Sequence, residues 1–189
     1  MKRIVVTEFV SLDGVIEEPK WTFDFDRGPE GDQFKFDELF DAEALLLGRV
    51  TYQGFAAAWP SMGHDEFGKR MNGIEKYVVS SSLTAEEATW GPTTVINGDA
   101  VSQMRELKDR GTGNLLVEGS ARLVQTLIEH DLVDEYRMMI FPIILGAGKR
   151  MFPALVPAPS RLAVTSSQTV GSGVAILTCS PANEERRGR

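Results

Sequence analysis

Four compact apolar runs stand out along the chain: Ile4-Val5-Val6, Ala44–Leu47, Tyr77-Val78-Val79 and Leu115-Leu116-Val117. Each is short, bounded by polar residues or glycine, and nearly continuous. That pattern predicts strands buried on both faces. With their flanks these runs predict strands at Arg3–Val10, Ala44–Leu47, Lys76–Ser81 and Asn114–Glu118. Thr93–Ile96 and Glu135–Phe141 add two more. Arg161–Gln168 and Val174–Cys179 alternate more strongly and are joined by Thr169–Gly173, which predicts an antiparallel hairpin at a sheet edge.

Between the strands the spacing changes to that of helices. Gln33–Phe40 places Phe36, Leu39 and Phe40 on one face, and Thr51–Ala58 follows Gly48-Arg49. Asp99–Arg110 opens on an Asp able to cap, carries Val101, Met104 and Leu107, and stops at Gly111. Ser120–Glu129 carries Leu123, Leu127 and Ile128. This alternation predicts an α/β architecture with a largely parallel sheet and an antiparallel C-terminal edge. The segment Glu17–Gly31 is long and rich in Pro, Gly, Trp and Phe. It reads as a functional lid, as a short strand in which Trp21, Phe23 and Phe25 alternate, or as aromatic cover for the core.

Composition narrows the class. A length of 189 residues fits one domain, expected over residues 1–181 with a polar tail at 182–189. The net charge is −7, and −6 of it falls on residues 24–43, whereas residues 44–189 hold fifteen charges of each sign. A net-negative chain without a basic run is a poor partner for nucleic acid. No apolar run approaches the roughly 20 residues that a membrane span needs. The single cysteine, Cys179, forms no internal disulfide and builds no multi-cysteine metal site. His64 and His130 stand alone. With no signal-peptide pattern, the expected location is the cytoplasm.

Candidate chemistry lies at the strand-to-helix junctions, where an α/β sheet binds its ligands. Gly48-Arg49-Val50-Thr51 offers helix-start N–H groups and a guanidinium, a combination suited to phosphate. Ser80 and Ser81 follow a buried strand. Gly119-Ser120-Ala121-Arg122 opens another helix. Each also reads as an ordinary turn. Together they suggest one extended, phosphate-bearing ligand such as a dinucleotide. A fourth interruption, Ser11-Leu12-Asp13-Gly14, ends the first strand. Lys149 and Arg150 close a Gly-containing loop that begins at Pro142.

Taken as a set, several motifs resemble the dihydrofolate reductase-like superfamily. They are Ser11-Leu12-Asp13-Gly14, Leu46-Leu47-Gly48-Arg49-x-Thr51-Tyr52, Val78-Val79-Ser80-Ser81, Val117-Glu118-Gly119-Ser120, Leu132–Glu135 and Pro142-x-x-Leu145-Gly146-x-Gly148. The branch they most resemble is the reductase (C-terminal) domain of the riboflavin-biosynthesis protein RibD, over residues 2–180. The resemblance implies a three-layer α/β/α sandwich on a mixed eight-stranded sheet. It implies an NADPH-dependent reductase acting on a C=N bond of a small heterocyclic substrate. The cofactor contacts it implies are Gly48, Arg49, Thr51, Ser80, Ser81, Gly119, Ser120, Ala121 and Arg122 at the phosphates, with Phe9, Leu12, Gly14 and Ile16 near the nicotinamide. Asp32, placed on the inward face of the first helix, and Asp13 are the expected catalytic acids. Trp21 and Glu118 are expected on the substrate side. Where that branch carries a first-strand Lys, this chain has Thr7, and the second Gly of Val-Glu-Gly-Gly is Ser120. Alternatives are a dihydrofolate or pterin reductase, and a nucleotide-binding protein without catalysis. Family members pair as dimers, and Leu132–Leu145 is the run expected at such an interface.

Overall fold

The computed structural model describes residues 1–152 and 160–182. The tail expected at the C-terminus lies outside the described residues from position 183 on. Eight strands form one sheet: β1 Arg3–Ser11, β2 Ala42–Gly48, β3 Glu75–Val79, β4 Thr93–Ile96, β5 Asn114–Glu118, β6 Glu135–Phe141, β7 Leu162–Val170 and β8 Val174–Pro181. Their order across the sheet is β4-β3-β2-β5-β1-β6-β8-β7. The first six in that order run parallel, and β8 and β7 close the edge antiparallel. This is the expected mixed sheet with an antiparallel C-terminal edge.

The continuous apolar runs are explained by helices on both faces. On one face Ile4, Val6, Leu46, Leu115 and Val117 pack with Met104 and Leu107 of α4 (Ala100–Asp109) and with Leu123, Val124 and Leu127 of α5 (Ala121–Glu129). On the other, Val5, Leu45, Leu47, Val78 and Leu116 pack with Leu39 of α1 (Gly28–Asp41), Tyr52 of α2 (Arg49–Ala58) and Met71 of α3 (Glu66–Gly73). β1 sits at the centre, between β5 and β6, although more than a hundred residues separate it in sequence from either neighbour.

Three elements differ from expectation. Helix α1 begins at Gly28 rather than Gln33, with Pro29 in its first turn, where a missing N–H costs nothing. Helix α3 follows Asp65, whose carboxylate caps it by accepting from the Gly68 N–H at 2.7 Å; eight residues are too few for a clear apolar period. Pro19–Asp24 is a 3-10 turn, not a strand. From it and the residue after it, Trp21 and Phe25 meet Phe141 edge-on at 5.5 and 5.6 Å, and Phe9 joins them at 5.6 Å. The aromatics of Glu17–Gly31 thus cover a third core, built on Met139, Phe141 and Val174, while Phe23 points to solvent.

Of the run Leu132–Leu145, expected at a dimer interface, the part through Phe141 packs largely inside the molecule, while Ile144 near its end is exposed. Leu132, Val133, Met138, Met139 and Phe141 are all buried, and β6 is flanked on both sides.

Phe141 is fully buried and is the shared partner of three aromatic rings. Phe141→Ala is expected to lower the unfolding free energy by about 3–5 kcal/mol, measured by denaturant titration. It should also expose Glu17–Asp26 to limited proteolysis.

Candidate active site

Two strand-to-helix junctions meet at the carboxyl ends of β2 and β5. The Ser120 Oγ accepts from the Gly48 N–H at 2.9 Å and shares a hydrogen bond with Thr51 Oγ1 at 2.7 Å. Gly119 and Ser120 both take left-handed conformations, φ +62° and +70°. A Cβ at Gly119 would lie 3.0 Å from Thr51 Oγ1, and one at Gly48 would lie 2.7 Å from Ser120 Oγ. Glycine is needed at both points for the two turns to touch. Neither α2 nor α5 has a side-chain cap, so their first N–H groups point outward at one common edge. Arg49 and Arg122 open these helices, both exposed and without an ion pair among the described residues. Uncapped helix starts beside two guanidiniums are chemically suited to hold an anion.

The other expected phosphate contacts behave differently. Ser80 is buried and its Oγ accepts from the N–H groups of Ser82 and Leu83, so it closes the turn after β3. Ser81 is exposed beside it. Ile16 is buried in the core against the α4 and α5 face. Leu12 is exposed at the rim, and Gly14 turns the chain at φ +88°.

Asp13 is not poised as a proton donor. Its carboxylate accepts from Ser11 Oγ at 2.7 Å and from the N–H groups of Leu145 and Gly146 at 3.1 and 2.9 Å. Those bonds, the Ser11 hydroxyl foremost and Leu145 next, hold its pKa down to about 2. Arg150 adds a bond to the Asp13 carbonyl. Asp13 therefore clamps the loop after β1 to the loop after β6. Beside the clamp, Val15, Glu17, Glu18, Trp21, Leu145, Ala147 and Gly148 line an open cleft of about 470 Å³.

Asp32 is likewise not where the expected helix register put it. It lies on the outer side of α1, ion-paired with Arg27 at 2.7 Å. The inward positions of α1 are 31, 34, 35, 38 and 39, a helical stripe that includes a Lys and a Glu. Gly31, Glu38 and Leu39 are buried, whereas Phe36 and Phe40 stack on each other, with Phe40 exposed.

That stripe builds a polar cluster which the apolar pattern did not reveal. Lys35 reaches over the sheet to Thr7 of β1 and Glu118 of β5. Its Nζ donates to Glu38 Oε1, to Glu118 Oε1 at 3.2 Å and to Thr7 Oγ1 at 3.4 Å. The Thr7 hydroxyl donates to Glu38 Oε1 at 2.9 Å. The ammonium thus stands beside the position where the resemblance led us to expect a first-strand lysine. Burial alone would lower the Lys35 pKa, but the Glu38 and Glu118 carboxylates outweigh it and raise it. Burial pushes Glu38 up, with the Lys35 charge opposing. The half-buried Phe9 ring lies alongside, with Lys35 Nζ 5.1 Å and Arg27 Cζ 5.4 Å from its centroid.

A third buried acid lies on the opposite face of β1, the side of Val6 and Val10. Glu8, in the middle of β1, is buried, and its Oε1 has no partner among the described residues. It accepts a bond from the Gly119 N–H. Burial, then repulsion from Glu118, holds its pKa well above the usual carboxylate range. A carboxyl inside an apolar run was the available signal for it.

Known proteins share this fold. The fold places the chain among dihydrofolate reductase-like α/β proteins. The RibD C-terminal domain model matches residues 2–176, and the chain belongs to that family. A curated relative, YyaP of Bacillus subtilis, is 28% identical over 181 residues, covering 92% of each chain. Among solved structures, a putative riboflavin biosynthesis protein from Shewanella sp. PV-4 superposes with TM-score 0.76 at 20% identity, covering 95% of this chain and 98% of that one. A Thermotoga maritima diaminohydroxyphosphoribosylaminopyrimidine deaminase/5-amino-6-(5-phosphoribosylamino)uracil reductase gives 0.65 at 17% identity. It covers 95% of this chain and 56% of its own. Dihydrofolate reductase from Enterococcus faecalis, complexed with NADP(H), gives 0.61 at 15%, covering 96% and 97%.

Two outcomes follow from these environments. Glu8 holds its proton more tightly folded than unfolded, so the wild type should lose stability as pH rises above the unfolded value near 4.5. The loss approaches about 1.4 kcal/mol per pH unit until the folded pKa is reached. Glu8→Gln should remove this slope, as read from denaturation midpoints at acidic and neutral pH. Asp13→Asn should speed amide hydrogen exchange at Leu145 and Gly146 while leaving α5 unchanged.

Proposed function

We propose that this protein is an NADPH-dependent reductase that adds hydride to a C=N bond of a small heterocyclic substrate, of the 5-amino-6-(5-phosphoribosylamino)uracil reductase kind. The observation that carries the reading is the pairing of two sites along β1 and β5. An anion-binding edge at the starts of α2 and α5 adjoins a half-buried polar cluster under α1. The donor set fits a pyrophosphate: uncapped N–H groups, small residues at the turn, and Arg49 and Arg122 at hand. Gly48, Arg49, Thr51, Gly119, Ala121 and Arg122 would hold the cofactor phosphates, Arg49 serving a 2′-phosphate. Ser120 holds the two turns together, and Ser81 lies at the rim of the same edge. When bound, the reduced nicotinamide supplies the hydride.

The protein's own part is placement. Phe9, Leu12 and Gly14 bound the strand end where the reacting ring would lie. Trp21 and Phe25 wall the space beside Phe141 and limit water. Lys35 and Glu118 present charge to the substrate from within a buried network. With Asp32 on the outer surface and Asp13 committed to the loop clamp, a protein proton donor falls to the Lys35–Glu38–Glu118 group or to water it orders.

The dihydrofolate reading differs in its need for a carboxylate facing the reacting ring from the first turns of α1. Gly31 occupies the inward position there. Among the described residues no helix is long and apolar enough to cross a membrane, and we place the protein in the cytoplasm. A homodimer could meet at the exposed end of the Leu132–Leu145 run, at Ile144, or along the exposed edge strand β7, which offers unpaired backbone groups.

NADPH should bind saturably by calorimetry. Arg49→Ala should weaken NADPH about tenfold, near 1.4 kcal/mol, while leaving NADH unchanged. Consumption of NADPH with 5-amino-6-(5-phosphoribosylamino)uracil but not with dihydrofolate is the expected outcome. Binding without turnover on either would favour a non-catalytic nucleotide-binding protein.

A further inference from the structure

We propose that Glu8 is a positioning residue for the anion edge: a neutral carboxylic acid that holds the Gly119 turn so that the start of α5 can receive a phosphate, and whose ionisation turns that ligand away. The proposal rests on the reading of this edge as the place of the cofactor phosphates.

β1 and β5 pair only as far as Thr7 and Glu118, whereas β1 continues beside β6 to Ser11. Glu8 and Gly119 therefore stand where the two strands part. There Gly119 turns at φ +62°, and its N–H donates to the Glu8 side chain. Glu8 lies on the face of Val6 and Val10, the face that α5 covers, so this bond reaches the turn from beneath the helix. The next residue, Ser120, stands at the N-cap of α5 but does not cap it; its hydroxyl is engaged with Gly48 and Thr51. Ser120 thus ties the turn sideways to α2, and Glu8 ties it down to the sheet.

An acid is a costly acceptor for one bond. Glu8 is 6% exposed within an otherwise apolar face, and its Oε1 has no partner among the described residues. A buried polar atom left unpaired calls for a reason. The helix start supplies one. As a carboxylate, Glu8 would itself be the anion at the positive end of α5 and would repel a phosphate brought to the same turn. As a neutral acid it still accepts from Gly119 through its carbonyl oxygen, and it leaves the helix end to a ligand.

The groups around Glu8 keep it neutral. Burial acts most strongly, and Glu118, next to Gly119, adds repulsion; Lys35, on the other face of the sheet, opposes them. That ammonium is already held by Glu38 and Glu118. From β6 and β8 the face of Glu8 presents Tyr136, Met138 and Cys179, and burial holds the Tyr136 phenol and the Cys179 thiol neutral. From α4 and α5 come Met104, Leu107, Leu123 and Val124. The nearest cations on the ligand side are Arg49 and Arg122, both exposed at the helix starts. An anion bound between them favours the protonated form of Glu8 further.

ADP-ribose is the probe, because it carries the pyrophosphate without a reducing ring or a titrating phosphate monoester. Its binding to the full chain is measured by calorimetry from about pH 6 to about pH 9, in buffers of different ionisation enthalpy. Wild type should lose affinity about tenfold or more across this range and should take up a proton on binding at the alkaline end. Glu8→Gln keeps the acceptor and removes the charge. It should match the wild type at the acid end, lose no affinity with pH and take up no proton. Glu8→Leu removes the acceptor, so it should weaken ADP-ribose about tenfold at every pH and speed amide hydrogen exchange at Gly119. Where Glu8→Leu does not fold by circular dichroism, the comparison with Glu8→Gln decides. The same pH profile in wild type and Glu8→Gln overturns the role of Glu8 and leaves the cofactor reading standing. No saturable binding to either protein at any pH overturns that reading and the proposal with it. A Glu8-dependent profile without NADPH turnover sinks the reductase activity alone.

Discussion

One ammonium ion, held between two carboxylates and a threonine hydroxyl, ties helix α1 to strands β1 and β5. Taking these charges out of water is costly, and their mutual attraction offsets that cost only while all are present. Removing any one would leave another buried and unbalanced. The inward face of α1 is therefore committed to a single register, with position 35 over the sheet and position 32 outside it. Everything placed by α1 depends on this: the Phe34 contact with the third core, the position of Arg27 over Phe9, and the opening above Glu118.

The second constraint is the Ser120 hydroxyl. It joins the end of β2 to the end of β5 and fixes where α2 and α5 begin. Ser120 holds a left-handed backbone at a cost of about 1–2 kcal/mol because that conformation turns its side chain back toward Gly48. The result is one continuous edge of backbone donors rather than two separate turns.

Most of the fold was legible in the sequence because its strands are buried on both faces and announce themselves as apolar runs. Ends shifted by one to five residues where caps, such as Pro29 in α1, decided the boundary. The candidate site was legible in part. Glycines at strand ends are local signals, and two of the turns they mark do touch, Gly48 against Ser120 and Gly119 against Thr51. The substrate side was hidden for a physical reason. Helix α1 turns polar residues inward, so Phe36 and Phe40 gave a false register and Asp32 looked buried when it is not. Ser80 shows the other limit: a hydroxyl that closes a turn and one that binds phosphate have the same local sequence. In Leu132–Leu145 the apolar run does not say which of its residues the molecule itself covers: Phe141 is buried and Ile144 is exposed.

The central position of β1 has a consequence for how the chain is made. β1 ends at residue 11 and is synthesised well before its neighbours β5 and β6, which begin at residues 114 and 135. At about 5–20 residues per second, it waits on the order of ten seconds for them. During that interval a strand apolar on both sides, carrying an acid that belongs in the interior, has no native partner. The sheet can nucleate around β2 and β3, which meet early. It cannot close until the middle of the sequence is out. This strand order leaves β1 without either of its sheet neighbours on the growing chain until β5 has emerged.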